Sequence, residues 1–229
     1  MNESVKIFPL GDNALTIEFG AEISENLNRR AIKLAGYLEQ NKFPGFVETV
    51  PAYASLTIFY DVFTVRKNFP ASTTAFDAVK KFVESELGNL EEIPEAESCL
   101  IEIPVCFDSE FALDLDFVAE KSGLEKSEVI SIFTEKTYRV FMLGFLPGFS
   151  YMGEVDASIA MPRKDTPRLK VPKGSVGIAG KQTGIYSCES PGGWRIIGKT
   201  DIDLFTPEAE KPCLLRPGDL VKFYERSNS

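Results

Sequence analysis

Histidine is absent from all 229 residues. That gap removes Ser-His-Asp and Cys-His catalysis, the commonest zinc ligand and the usual proton shuttle near neutral pH. Any general acid or base must therefore be Asp, Glu, Lys, Tyr or Cys. Cysteine is scarce too. Cys99, Cys106, Cys188 and Cys213 show no C-x-x-C spacing, so they read as reduced thiols rather than a disulfide framework, and no metal is expected in this chain. No apolar run approaches the length of a bilayer span. The opening MNESVKIFPLGDN lacks a basic start leading into an apolar stretch, so a signal peptide is not expected and a cytoplasmic location is. Positive charge is also in deficit, with 25 Lys and Arg against 34 Asp and Glu and a net charge of -9. A chain of that sign is a poor nonspecific binder of nucleic acid or anionic membrane, and neither is expected as a partner.

What remains is ample for a folded protein. Apolar residues make up 44% of the chain, enough for a substantial core, and the length suits one large domain or two small ones. Val5 to Leu10 and Ala14 to Phe19 read as strands around the turn Gly11-Asp12-Asn13. Ser24 is placed to cap a helix from Glu25 to Gln40, whose Leu27, Ala31, Leu34, Ala35 and Leu38 form an apolar stripe. Val47 to Val50 and Ser55 to Tyr60 return to strand patterns, split by Pro51. A second helix is expected over 73–87, with Phe76, Val79, Val83 and Leu87 inward. Two strand pairs, each followed by a helix, predict a small α+β sandwich over residues 1–90. The acidic, Pro-containing stretch 91–98 has the composition of a linker.

Beyond it, Leu100 to Val105 reads as a strand, Asp114 to Ser122 as a helix stopped by Gly123, and Ser127 to Phe133 as another helix. From Tyr138 onward the helical period disappears. Short apolar stretches (Arg139 to Leu143, Ser175 to Ala179, Trp194 to Ile197, Leu220 to Tyr224) alternate with Gly and Pro turns. That rhythm predicts a β-barrel or sandwich over 99–229.

More than half of the 17 glycines fall between Gly144 and Gly198, beside the only Trp. Within them, Gly193 to Thr200 reads G-W-R-I-I-G-K-T and matches the phosphate-loop pattern G-x-x-x-x-G-K-[ST]. A working phosphate loop needs a compact small-residue turn and a helix opening at the Lys. Here Trp194-Arg195-Ile196-Ile197 is itself strand-like, and Asp201 to Pro207 alternates and then meets a proline. The stretch is expected to be a strand ending in a turn.

The glycine-rich region has two readings: barrel corners, or loops that let a ligand approach the backbone. Between Met161 and Thr200 the charge inverts locally, with Arg163, Lys164, Arg168, Lys170, Lys173, Lys181, Arg195 and Lys199 against Asp165 and Glu189. Arg163 and Arg168 flank the extended PRKDTPR and form a candidate bidentate grip on a carboxylate or phosphate. Phe145, Phe149, Tyr151 and Trp194 are candidate walls of an apolar pocket. Gln182, Thr183, Tyr186 and Ser190 are candidate neutral partners for an amide. Gly144, Pro147, Gly148, Gly184, Pro191, Gly192 and Gly193 complete the expected substrate-binding set.

YRVFMLGFLPGFSYMG, PRKDTPRLKVPKGSVGIAGKQTGIYSCESPGGWRIIGKT and LLRPGDLVKFY resemble the KipI / allophanate hydrolase subunit 1 family. The likeness extends through IEIPVCFDSEFALDLDFVAEKSGLEKSEVI and, more weakly, through GDNALTIEFG and VPAYASL, so it covers nearly the whole chain. The resemblance implies a small α+β unit followed by a cyclophilin-like β-barrel. It also implies a subunit role. In one branch, A-type and C-type partner subunits join this one to open 5-oxo-L-proline to glutamate with consumption of ATP. Other branches serve as allophanate hydrolase or urea carboxylase modules, or inhibit a sensor histidine kinase. On the 5-oxoprolinase reading, Arg163 and Arg168 would hold the substrate's anionic group, and Gly192 and Gly193 would approach an oxyanion. Asp114 would be the acidic residue, an orienting partner for an arginine. Family members commonly carry a His where Phe133 stands, and a Gly-Pro pair where Ala112-Leu113 precede Asp114.

Overall fold

The computed structural model describes residues 5–94 and 97–226, and its contacts divide the chain into two compact units that meet between Glu97 and Ser98. Residues 95 and 96 of the expected linker lie outside the described residues. Before them the chain makes one 3-10 turn, Leu90–Glu92, and buries Leu90 and Ile93 in the core of the first unit.

The first unit grows from strands with alternating burial. β1 (Lys6–Pro9), β2 (Ala14–Glu18), β3 (Phe46–Pro51) and β4 (Ser55–Tyr60) form an antiparallel sheet in the order β1-β2-β4-β3. In β4 every second residue, Leu56, Ile58 and Tyr60, is buried, as a half-buried strand requires. The stripe Leu27, Ala31, Leu34, Ala35 and Leu38 buries one side of α1 (Glu25–Gln40) against β3 and β4. Ser24 sits at its N-cap, but its side chain makes no capping bond; only its carbonyl accepts from the Asn28 N–H at 3.0 Å.

The third helix, α3 (Ala75–Gly88), carries a cap that its period did not announce. Thr74 and Asp77 exchange side-chain and backbone hydrogen bonds in a capping box. Its inward residues are Val79 and Val83 with Ala75 and Ala78, while Phe76 and Leu87 stay half-buried at the flank. Between β4 and α3 lies a helix not foreseen from periodicity, α2 (Val62–Asn68). Its VFTVRKN is rich in β-branched residues and too short to show a period, but Asp61 accepts the Thr64 N–H at 2.7 Å and starts the turn.

The second unit is a barrel-like sheet. β5 (Leu100–Val105) leads into α4 (Leu115–Ser122) and α5 (Lys126–Glu135). The strands then follow as β6 (Thr137–Leu143), β7 (Ser150–Gly153), β8 (Arg168–Val171), β9 (Ser175–Ala179), β10 (Gln182–Ile185), β11 (Ser190–Gly192), β12 (Arg195–Lys199) and β13 (Leu220–Glu225). Seven of them run in the order β12-β9-β10-β7-β6-β13-β5, with only β13 and β5 parallel. The two edge strands are joined by a bridge. Cys106 N–H donates to the Lys199 carbonyl at 2.8 Å and Lys199 N–H to that of Cys106 at 2.9 Å. Closure needs Gly198, because a Cβ there would lie 2.6 Å from Val105 Cγ1 and 2.9 Å from the Cys106 carbonyl oxygen.

Inside, Ile103, Val105, Val140, Met152, Val176, Ile178, Ile197 and Val221 are fully buried. Phe133 belongs to this core as well. Its ring stacks on Phe223 at 4.9 Å and lies 5.2 Å from that of Tyr138, so Phe133 is used for packing. β8 and β11 pair separately as a two-stranded ribbon. A smaller apolar cluster, Phe149, Val171, Ala179, Tyr186, Trp194 and Ile196, forms a second core.

Candidate functional site

The phosphate-loop match has none of the elements that such a loop requires. Residues 195–199 are β12, and no helix follows Lys199-Thr200. Gly198 serves barrel closure, and the Lys199 ammonium lies 5.0 Å from the centroid of the Phe111 ring. These residues do not fit a nucleotide phosphate, which would need consecutive N–H groups opening a helix.

The local excess of positive charge is largely consumed by the rest of the barrel. Lys170 pairs with Glu189, Lys173 with Asp203 and Lys181 with Glu154. Asp114 takes three more cations. Arg168 grips it bidentately, Nη1 to Oδ2 at 2.8 Å and Nη2 to Oδ1 at 2.9 Å. The Lys164 ammonium lies 3.6 Å and Arg195 Nη1 3.8 Å from Oδ1. The Ile196 N–H donates to Oδ2 at 2.7 Å, and the Asp114 N–H returns a bond to the Ile196 carbonyl at 2.7 Å. Asp114 is the N-cap residue of α4, yet its side chain makes no cap there; the carboxylate is turned wholly to this cluster. Burial alone would raise its pKa, but the Arg168 and Ile196 hydrogen bonds and the Arg168 and Lys164 charges outweigh it. The net effect holds the carboxyl below its ordinary value.

Beside this cluster is a cavity of about 260 Å³, the scale of a metabolite rather than a macromolecule. Phe145, Phe149, Tyr151, Tyr186 and Trp194 supply aromatic walls; Pro167, Pro191, Gly192 and Gly193 supply backbone and ring surface, and Arg163 the charge. The aromatics pack edge-to-face, with Phe149 central: its ring lies 4.9 Å from Tyr151, 5.4 Å from Tyr186 and 5.5 Å from Trp194. Glycine makes this approach possible at two positions. A Cβ on Gly192 would lie 2.2 Å from Tyr186 Oη. One on Gly184 would lie 2.7 Å from the Ser150 carbonyl oxygen and 2.9 Å from Phe149 Cζ. Burial raises the Tyr186 pKa, opposed by the Trp194 backbone N–H and the Arg163 charge, so Tyr186 is a neutral hydroxyl at pH 7.

The β6–β7 loop places Phe145. Leu146 N–H donates to the Gly144 carbonyl at 2.8 Å, Phe149 N–H to that of Leu146 at 3.0 Å, and Gly144 N–H to that of Phe149 at 3.1 Å. This tight turn forces Phe145 to φ 68°, a conformation rare for a non-glycine residue. Its side chain is largely exposed while its ring leans on Phe149.

The structure therefore sorts the expected site residues into groups. Arg163, Phe145, Phe149, Tyr151, Tyr186, Pro191, Gly192, Gly193 and Trp194 meet around the cavity. Gly144, Pro147 and Gly148 build the turn behind Phe145, and Gly184 lies beneath the aromatic cluster. Gln182 and Thr183 lie in β10, where the Thr183 hydroxyl donates to the Gly177 carbonyl at 2.9 Å. Ser190 is buried with its hydroxyl 3.2 Å from the Pro191 carbonyl. Arg168 and Asp114 hold each other. Pro167, Lys164 and Arg195 join the site without having stood out in the sequence as site residues, although the PRKDTPR motif contains the first two.

Residues 5–215 match the carboxyltransferase domain family, subdomain C and D, and the chain belongs to it. It is 47% identical to the B-type subunit of 5-oxoprolinase from Bacillus subtilis, over 97% of this chain and 93% of that one. The crystal structure of TTHA0988 superposes with a TM-score of 0.79 at 36% identity, covering 94% of this chain but 40% of that longer one. The Kluyveromyces lactis urea amidolyase has the same fold, with a TM-score of 0.74 at 22% identity over 99% of this chain and 15% of that one. The family resemblance and the fold expected from the sequence are both borne out.

Proposed function

We propose that the chain is a subunit of an ATP-dependent 5-oxoprolinase that opens 5-oxo-L-proline to L-glutamate together with A-type and C-type partner subunits. The observation that carries this reading is the 47% identity to a B-type 5-oxoprolinase subunit along almost the full length of both chains. A lactam is a poor electrophile. Transfer of the terminal phosphoryl group of ATP to its oxygen makes the ring carbon attackable. Water then adds to that carbon, the ring C–N bond breaks to free the amine and leave an acyl phosphate, and a second water cleaves the acyl phosphate to the new carboxylate of glutamate and inorganic phosphate. The aromatic cavity suits the apolar edge of a five-membered ring, and Gly192-Gly193 offers backbone a side chain would otherwise cover. In this proposal ATP is a co-substrate of the complex and is not held by a phosphate loop at Gly193–Thr200, whose residues 195–199 are a strand.

The test is ATP-dependent release of glutamate from 5-oxo-L-proline by this chain alone, by the A-type and C-type subunits together, and by all three. Turnover only in the complete mixture is the expected result. Folded proteins that release no glutamate in any mixture overturn the reading.

A further inference from the structure

Arg163 and Arg168 stand five residues apart in one prolyl segment, yet only one of them is available to a ligand. Arg168 has both terminal nitrogens on Asp114 at 2.8 and 2.9 Å. Lys164 and Arg195 turn toward the same carboxylate. Among the described residues, no carboxylate lies within ion-pair reach of Arg163. Its guanidinium carbon is 5.9 Å from the Trp194 ring centroid, on the cavity wall.

The backbone on either side of Arg163 is tied down. The Pro162 carbonyl accepts from Arg195 Nε at 3.4 Å, and the Lys164 N–H donates to the Gly193 carbonyl at 2.7 Å. Arg195 is itself held, its guanidinium 3.7 Å from the centroid of the Phe117 ring. A fixed main chain carrying a side chain with an unfilled planar fork, set on the wall of an apolar cavity, is a preorganised donor to a carboxylate. An unpaired guanidinium beside aromatic faces also has little else to do: its charge is only partly satisfied by the ring.

We infer that Arg163 is the specificity-determining residue of the aromatic cavity, requiring its ligand to carry a carboxylate on a small ring. Asp114, Arg168, Lys164 and Arg195 are positioning residues that hold the 162–168 segment in place for it. This inference rests on the 5-oxoprolinase reading for the identity of the ring acid.

Trp194 is the only tryptophan and lines the cavity, so its fluorescence reports binding to the full chain directly. The experiment titrates 5-oxo-L-proline and 2-pyrrolidinone, the same lactam without its carboxylate, into the natural chain, Arg163→Ala and Arg163→Lys. The natural chain should prefer the acid by about tenfold or more, the size of one charge-assisted hydrogen-bonded contact. In Arg163→Ala the acid should fall to the affinity of the lactam while the lactam itself is unchanged, and Arg163→Lys should recover part of the preference. A natural chain that draws no distinction, binding both or neither, overturns the inference; so does a preference that survives in Arg163→Ala. Glutamate release is scored separately in the three-subunit mixture. Loss of the functional reading with an intact Arg163-dependent preference, or the reverse, is thus seen as such.

Discussion

The Asp114 cluster and the aromatic cavity lie side by side, share the 162–168 segment, and use arginine in opposite ways. In the cluster, charge is internal. One buried carboxylate collects three cations and one backbone N–H, tying α4, β12 and the prolyl segment together. In the cavity, charge faces outward on an apolar background, and the one cation there has a ring rather than an acid for a neighbour. The two regions show that residue type and local charge density do not separate an arginine that builds from one that binds. The number of acceptors already within reach does.

The comparison breaks most severely at Asp114. Asp114→Ala leaves Arg168, Lys164, Arg195 and the Ile196 N–H without their shared acceptor. A loss of about 3 kcal/mol is expected in urea unfolding, at the low end for a buried pair because Arg168 and Lys164 keep partial contact with water. The same variant should flatten the acid limb of the stability profile. The folded-state pKa of Asp114 lies below the ordinary 3.8, so the unfolded chain takes up this proton first. Its stabilisation is complete above that value and is lost as the pH falls beneath it toward the folded-state pKa.

A smaller effect is expected on the cavity side. Gly184→Ala sets a methyl against the Ser150 carbonyl and the Phe149 ring, and overpacking of that kind costs roughly 1–3 kcal/mol. Because Phe149 touches Tyr151, Tyr186 and Trp194, the Trp194 emission should shift in the folded variant, which a fluorescence spectrum checks. The smallest effect sharpens the contrast. Arg163→Ala should change stability by no more than about 0.5 kcal/mol, as for an exposed residue without a structural partner. A larger loss in urea unfolding would place Arg163 with the builders.

Much of the first unit could be read directly because its periods are long. The α1 stripe and the alternation in β4 each span enough residues to announce their geometry. Helix α2 could not, since seven residues rich in β-branched side chains carry the statistics of a strand. In the second unit, β7, β8, β10 and β11 are three or four residues long, below the length at which alternation is informative. The cavity walls were legible as an unusual gathering of glycine, proline and aromatic residues around one Trp. The roles within that gathering were not.

By itself the sequence determined which chemistries are closed to this protein, where its long helices and strands run, and to which family it belongs, because residue inventory and extended patterns are properties of the chain. Only the tertiary structure decided that Gly198 closes a barrel, that Phe133 is core, and that Asp114 occupies Arg168 while Arg163 faces the cavity. Each of these turns on which group, distant in the chain, arrives within contact range. Hydrogen bonds and close packing act over that range alone, and no spacing along the chain encodes it.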